Sequence, residues 1–280
     1  MVIITDDGTS FCTGTLLNNV RQDGAQYVLT ANHCIFSDPS FFVIGFNYQQ
    51  PVCYKSRQEA SLVPPKPQTV HGVTLVSKWE TSDYALLKIA ERIPVEYNAY
   101  FAGWDATMRA PADVYGIHHP YGDVKKISSF FGQTILSTWT PWDRIKMHWK
   151  IPRWNEGATE RGSSGSALFN TLGQVVGHLR GGSASCTSPD GWDMYGGLFA
   201  DFHYPPENVR LSKYLDPDNT GSRIMNGISA KDLYSRGATH VGNNNHNNHN
   251  GSNGNNGNMN RPTHPHQQFH PYQNHRMVRP

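Results

Sequence analysis

The sequence predicts an all-β protein, and three observations carry that prediction. Short runs rich in Val, Ile, Tyr, Phe and Thr recur along most of the chain, Gly, Pro, Asn and Asp separate them, and helical periodicity is scarce. This is the pattern of an antiparallel sandwich or barrel. In chain order the runs are YVLTA from Tyr27, FFVIGF from Phe41, TVHGVTLVS from Thr69, YALLKI from Tyr84, ADVYGIHHP from Ala112, KISSFFGQTI from Lys126, IKMHWKI from Ile145, SALFN from Ser166, QVVGHLRGG from Gln174 and YGGLFADF from Tyr195. Two halves of similar strand content flank the segment from Tyr100 to Pro111, and two barrels side by side fit that division. The best helical candidate is PENVRLSKYLDP, where Val209, Leu211, Tyr214 and Leu215 line one face before Pro217 stops it. A short helix is therefore expected to close the folded part.

From Gly242 onward the chain is Asn, His, Gly, Gln and Pro with almost no aliphatic residues, too little apolar surface to offset the entropy of ordering. The expected division is a folded domain over 1–232 and an Asn/His-rich, low-complexity disordered tail over 233–280. Histidines from His240 to His275 could bind Zn or Cu loosely, although inert low-complexity sequence is the simpler reading.

Composition excludes several classes of function. The 280 residues carry a formal net charge of +2 and only 16% charged residues, so nothing would hold a polyanion by bulk charge and nucleic acid is not an expected partner. Apolar runs such as FFVIGF are too short to span a bilayer, so no membrane partner is expected. The opening MVIITDDGTS lacks a cationic start, an apolar middle and a cleavage site, so no signal peptide is visible in it. Cys12, Cys34, Cys53 and Cys186 show no CxxC spacing, which argues against structural zinc and for an oxidised extracellular protein, with three pairings open.

The chemistry lies in three pieces. His33 ends the strand-like YVLTANHC, Asp83 opens the buried run in TSDYALLKI, and Ser164 sits in the Gly-flanked turn of ERGSSGSALF. Each alone has a bland reading: a histidine satisfied by the core, a turn aspartate, a Gly-Ser turn. Together they form a working set. A serine hydroxyl needs an imidazole to take its proton, and the imidazole needs a carboxylate to hold its tautomer and stabilise its charged form. Glycine at 162 and 165 lets the turn aim the N–H groups of Gly162 and Ser164 at an oxygen that becomes negative during acyl transfer. The chain order His, Asp, Ser is that of the chymotrypsin type. No metal and no cofactor is required.

At this point the sequence resembles the lysyl endopeptidase group of chymotrypsin-fold, trypsin-like serine proteases, which are secreted and cleave after lysine. FCTGTLLNN, YVLTANHC, FNYQQPVC, TSDYALLKI, FAGWD, GIHHP, KKIS, GATERGSSGSALF, HLRGG, WDMYGGLF and RLSKYLDPDNTGS all match family segments in the right order, over roughly Ile3 to Ile228. The resemblance implies two antiparallel six-stranded β-barrels, a protein or peptide substrate, a monomer, and His33 as base, Asp83 as its orienting acid and Ser164 as nucleophile. It also implies Asp193 as the anion at the base of the specificity pocket; the sequence itself adds only that Asp193 lies among Trp192, Met194 and Tyr195, where a bare carboxylate is costly without a cation. Cys34 bonded to Cys12 would staple the loop that carries His33.

The chain departs from the family in three places. Where trypsin has its pocket aspartate, six residues before the serine, this chain has Ala158, so lysine recognition rests on Asp193. Arg180 replaces a family histidine, and its guanidinium can pair with Asp193 or stack on Trp139. Family members also begin upstream, with cysteines that would partner Cys53 and Cys186, so the sequence is expected to be N-terminally incomplete. The alternatives are a trypsin-fold protein of different specificity and a catalytically silent binding form or fragment. Two further motifs carry local readings. His118 and His119 are adjacent on a strand and point to opposite faces, which disfavours a shared zinc. Glu160 is expected to be a local hydrogen-bonding group that shapes the pocket.

Overall fold

The computed structural model describes residues 1–4, 10–52 and 68–241, without the side chains of 236–241. In the first half, β1 (Val2–Ile4), β2 (Phe11–Thr13), β3 (Thr15–Leu17), β4 (Tyr27–Ala31), β5 (Val43–Phe46), β6 (Gln68–Val70), β7 (Val73–Trp79) and β8 (Tyr84–Ile89) form two antiparallel four-stranded sheets, ordered β2-β1-β5-β6 and β3-β4-β8-β7. The stretch from Phe11 to Leu17 bends at Gly14, so β2 belongs to one sheet and β3 to the other. A corner of this kind folds two sheets around one interior. That interior holds Ile3, Val28, Ile44 and Leu87, each exposed by 1% or less.

The second half comprises β9 (Tyr100–Phe101), β10 (Trp104–Asp105), β11 (Ala112–His118), β12 (Lys126–Gln133), β13 (Ile135–Ser137), β14 (His148–Ile151), β15 (Ala167–Phe169), β16 (Val175–Gly182), β17 (Asp193–Gly197), β18 (Ile224–Met225) and β19 (Ile228–Ser229). Its main sheet runs β12-β11-β15-β16-β17-β14-β13, with β10 against β16 and β18 against β10, making nine strands; β9 pairs with β19. The all-β reading holds. Among the described residues the strands group into sheets of four, four, nine and two, which do not divide as six strands per barrel.

Three apolar clusters hold the chain together. One fills the first half, and another packs Val114, Trp149, Ile151, Leu168, Tyr195 and Phe199 inside the second. The third joins Leu17, Leu29, Tyr84 and Leu86 of the first half to Trp104, Val175, Leu198 and Leu211 of the second. Burial of such side chains stabilises by roughly 1.5–3 kcal/mol each, so this shared cluster fixes the two halves to each other.

Among the described residues the α-helices are few: α1 (Leu198–His203), α2 (Ser212–Leu215) and α3 (Ala230–Val241). The helix expected over PENVRLSKYLDP is reduced to a 3-10 turn at Glu207–Val209 and the short α2, because Arg210 between them is extended, with ψ 138°. Leu211 and Leu215 are nonetheless fully buried. Residues 233–241, assigned to the tail by composition, lie in α3, with Leu233 in the core of the first half and Tyr234 packed against it. Ser229 starts this helix by accepting from Asp232 N at 3.0 Å and donating to Asp232 Oδ2 at 2.7 Å, a capping arrangement written in the sequence as Ser-x-x-Asp. Among the described residues no helix is long and apolar enough to cross a membrane.

Candidate active site

The register of β4 and β8 brings the first two site residues together. Ala31 pairs with Tyr84, so the chain leaving β4 and the chain entering β8 lie side by side and His33 meets Asp83. Asn32 N donates to Asp83 O at 2.6 Å, which bends the strand into the 3-10 turn of Asn32–Cys34. His33 N donates to Asp83 Oδ1 at 2.9 Å, and His33 Nδ1 lies 2.7 Å from Asp83 Oδ2. One carboxylate thus grips both the backbone and the ring of the same histidine, leaving Nε2 as the free ring nitrogen. The Asp83 side chain is 6% exposed and the His33 side chain 44%, so the carboxylate is buried and the imidazole faces solvent. Asp83 has φ +69°, a left-handed conformation that Asp tolerates better than most side chains.

Ser164 belongs to the tight turn between Glu160 and Ser166. Ser163 N donates to Glu160 O, Ser166 N to Ser163 O and Gly165 N to Leu179 O, at 2.8 to 3.0 Å. Among the described residues no acceptor takes the N–H of Gly162 or of Ser164. Gly162 and Gly165 have φ +89° and +78°, and a Cβ on either would collide with neighbouring backbone, His119 O at 2.8 Å for the first and Ala31 N at 2.6 Å for the second. Only glycine fits both demands.

Sequence reasoning missed the residues that hold this turn. Thr13 N donates to Ser164 O at 2.8 Å and Thr13 Oγ1 to Gly162 O at 2.9 Å. Thr30, on the strand that delivers His33, donates to Thr13 O at 2.9 Å. Underneath, the Ser163 hydroxyl lies 2.7 Å from His118 Nδ1, whose Nε2 is 3.0 Å from Ser128 Oγ. His119 Nδ1 donates to Asp123 O at 2.9 Å. Both rings are buried, and desolvation pulls their pKa values down to about 4 for His118 and about 3 for His119. Among the described residues no group of His, Cys, Asp and Glu has the geometry of a metal site.

Asp193 opens β17 opposite Ile151 and Gly182 and is 1% exposed. Trp154 Nε1 and Thr159 Oγ1 both donate to its Oδ2, each at 2.7 Å. Its Oδ1 is buried with no hydrogen-bond partner among the described residues. Desolvation pushes the carboxyl above the ordinary aspartate range, only partly offset by the Trp154 and Thr159 bonds. Arg180 does not neutralise it. The guanidinium stacks 4.6 Å over the Trp139 ring, and Nη1 donates to Thr81 O at 2.8 Å and approaches His148 Nε2 at 3.3 Å. Trp139 in turn meets Trp192 edge-on, with centroids 6.3 Å apart.

Cys12 and Cys34 form a disulfide. Cys186 is an exposed free thiol whose N–H donates to Glu160 Oε1 at 2.8 Å, so Glu160 takes a local bonding role beside the serine turn. Cys53 lies outside the described residues.

Comparison with known proteins gives one consistent class. The family model described as lysyl endopeptidase, C-terminal domain, matches residues 1–196. A curated lysyl endopeptidase of Pseudomonas aeruginosa is 30% identical over 222 residues, covering 76% of this chain; the chain spans 45% of that relative's length. Among solved structures, a thermostable serine protease from an extremophilic microorganism is similar at 17% identity, covering 76% of this chain and 94% of that one, with TM-score 0.46. A serine endoprotease from Yersinia pestis is similar at 20% identity, covering 70% and 57%, with TM-score 0.44.

Proposed function

The chain belongs to the lysyl endopeptidase family, and from that premise we propose that it is a secreted serine endopeptidase that hydrolyses peptide bonds after lysine through His33, Asp83 and Ser164. The observation that carries the catalytic reading is the double grip of Asp83 on His33, 2.9 Å to the backbone and 2.7 Å to Nδ1. It favours the tautomer with the proton on Nδ1, which leaves Nε2 as the proton acceptor.

In this mechanism the Ser164 hydroxyl attacks the peptide carbonyl while His33 Nε2 takes its proton. The oxygen that becomes negative is held by the N–H groups of Gly162 and Ser164, which have no competing acceptor among the described residues. The imidazolium, stabilised by Asp83, then gives its proton to the leaving amine, and the C–N bond breaks to an acyl-enzyme. Water attacks the ester with His33 again as base, releasing the acid and restoring Ser164. Asp83 acts by orienting the ring and stabilising the imidazolium, and takes no part in the proton transfer itself.

Lysine specificity rests on Asp193. Its Oδ1 is a buried acceptor without a partner among the described residues, which is costly unless a cation completes it, and the ammonium of a substrate lysine is such a cation. Arg180 is occupied by Trp139 and Thr81, which leaves that carboxylate for the substrate. Trp192, next to Asp193 in sequence, packs edge-on against Trp139. The Cys12–Cys34 disulfide accords with an oxidising compartment outside the cell.

The test is a fluorophosphonate probe followed by mapping of the modified residue, together with a peptide library. Modification of Ser164 alone, abolished in Ser164→Ala, and cleavage after lysine are expected. An unlabelled folded protein would establish the catalytically silent alternative, and cleavage after neutral residues would establish a different specificity on the same triad.

A further inference from the structure

Behind Asp83 lies a second histidine–carboxylate couple that the proposed mechanism does not use. His178, on β16, and Asp201, in α1, are both fully buried, with Nε2 3.0 Å from Oδ2. His178 Nδ1 and Asp201 Oδ1 have no hydrogen-bond partner among the described residues. Burying either charge alone would be prohibitive, so each group needs the other. Burial pushes the Asp201 carboxyl up, and His178 pulls it back.

This couple touches the residues on either side of Asp83. Ser82 is fully buried and its hydroxyl faces the Asp201 carboxylate within interaction range, without a well-aligned hydrogen bond. Tyr84 packs its ring edge-on to His178, with centroids 6.5 Å apart. Gly196 of β17 is wedged between the His178 ring and the Ser82 carbonyl so closely that a Cβ would overlap both. The contacts therefore come from β16, β17 and α1 of the second half and converge on the one segment of the first half that carries the triad acid. Asp83 also holds a left-handed φ of +69°, which persists only where its surroundings over-determine it.

We propose that His178 and Asp201 are a positioning pair for Asp83, locking the segment from Ser82 to Tyr84 against the half of the molecule that carries Ser164. This rests on the reading of Asp83 as the triad acid. The pair makes no contact with substrate; it sets the alignment of two triad members on one half with the nucleophile on the other. Its loss is expected to lower turnover and leave ground-state binding alone, since small misalignments of the reacting groups are expensive in rate.

The experiment compares wild-type full chain with Asp201→Ala, Asp201→Asn and Ser82→Ala, measuring kcat and KM on a lysyl peptide amide well below each melting temperature, and the rate of fluorophosphonate labelling of Ser164. Asp201→Ala should lower kcat by about tenfold or more with KM within about twofold, and labelling should slow in parallel. Asp201→Asn, which keeps an acceptor for His178, should recover part of the lost kcat. Ser82→Ala, which removes the hydroxyl without stranding a charge, should lower kcat about threefold at unchanged KM and keeps the question open to measurement if Asp201→Ala does not fold. Wild-type kcat in folded Asp201→Ala, or in Ser82→Ala where Asp201→Ala does not fold, would overturn the positioning role, as would a change in KM alone. A wild-type protein that neither hydrolyses the substrate nor labels would instead overturn the triad reading beneath it.

Discussion

The backbone of Thr13 donates to the carbonyl of Ser164 at 2.8 Å, a bond between the first β unit and the proposed nucleophile of the second. Its neighbour Cys12 is bonded covalently to Cys34, and Cys34 follows His33. A continuous strap therefore runs from Ser164 through Thr13, Cys12 and Cys34 to His33, and Thr30 tightens it by donating to Thr13 O at 2.9 Å. This strap ties the proposed nucleophile to the proposed base and adds to the apolar contact between the halves.

Thr13→Val tests the strap at its side chain. The hydroxyl donates to Gly162 O at 2.9 Å and accepts from His119 N at 3.0 Å, and valine matches its shape while removing both bonds. The buried N–H of His119 and the partly buried carbonyl of Gly162 lose that partner, which should cost roughly 1–3 kcal/mol of stability. Because Gly162 is a proposed oxyanion donor, kcat should fall about tenfold or more with little change in KM. A folded variant with wild-type turnover would remove Thr13 from the positioning of the turn.

Much of this site was legible in sequence, and the rest was hidden for identifiable reasons. His33, Asp83 and Ser164 each end or open a run of strand-forming residues, so their place at strand tips followed from periodicity; the pairing of Ala31 with Tyr84 depended on a register between segments far apart in sequence. Thr13 and Thr30 were invisible because a threonine in a β run reads first as a strand former. His178 stands in VVGHLRGG with no sequence neighbour that marks its carboxylate partner. Asp201 did carry a signal, an acid among Leu198, Phe199, Ala200 and Phe202, where an unpaired charge is rarely tolerated. Helix α3 was missed because its apolar face is thin, although the cap at Ser229 and Asp232 was readable.

The disulfide should be structural. Cys12 and Cys34 are 22 residues apart, and closing a loop of that length stabilises by about 3 kcal/mol on the chain-entropy account. Mutating both to serine should lower the denaturation midpoint correspondingly and reduce turnover, since the strap then depends on hydrogen bonds alone. Non-reducing peptide mapping should recover the two cysteines joined; recovery of Cys34 as a free thiol from active protein would contradict the arrangement.

Buried histidines should make the fold acid-sensitive. His118, His119 and His148 are neutral in the folded state, with pKa values lowered to about 4, 3 and 3 by burial first, helped at His148 by the Arg180 guanidinium. In the unfolded chain each returns to roughly 6.5, so below that pH the unfolded state binds more protons and stability falls as pH falls. The loss should approach 1.4 kcal/mol per pH unit for each histidine, on the order of magnitude, between about pH 6.5 and the folded-state values. Chemical denaturation at pH 7.0 and 5.5 measures it, and a flat stability over that interval would mean that these rings are protonated in place.

Asp193 makes the last prediction, because its ionisation should gate lysine binding. Desolvation raises its pKa in the free protein, so the carboxylate begins to take up a proton at a pH above the ordinary aspartate value of about 3.9. An ammonium placed against Oδ1 stabilises only the ionised form and must release that proton to bind. Affinity for butylammonium, a mimic of the lysine side chain, should therefore be pH-independent near neutrality and weaken as pH falls through the raised pKa, whereas a neutral isostere such as pentane should bind without that dependence. Asp193→Ser should lower kcat/KM for lysyl substrates by about two to three orders of magnitude, the cost of burying an unpaired ammonium at roughly 3–5 kcal/mol, and should leave neutral substrates nearly unaffected. Arg180→His should preserve lysine preference, since the guanidinium sits on Trp139 and Thr81 and not on Asp193. If Arg180→His were instead to convert an enzyme that prefers neutral residues into one that prefers lysine, the stacked position of Arg180 would not be its position in solution, and Asp193 would have its cation from within.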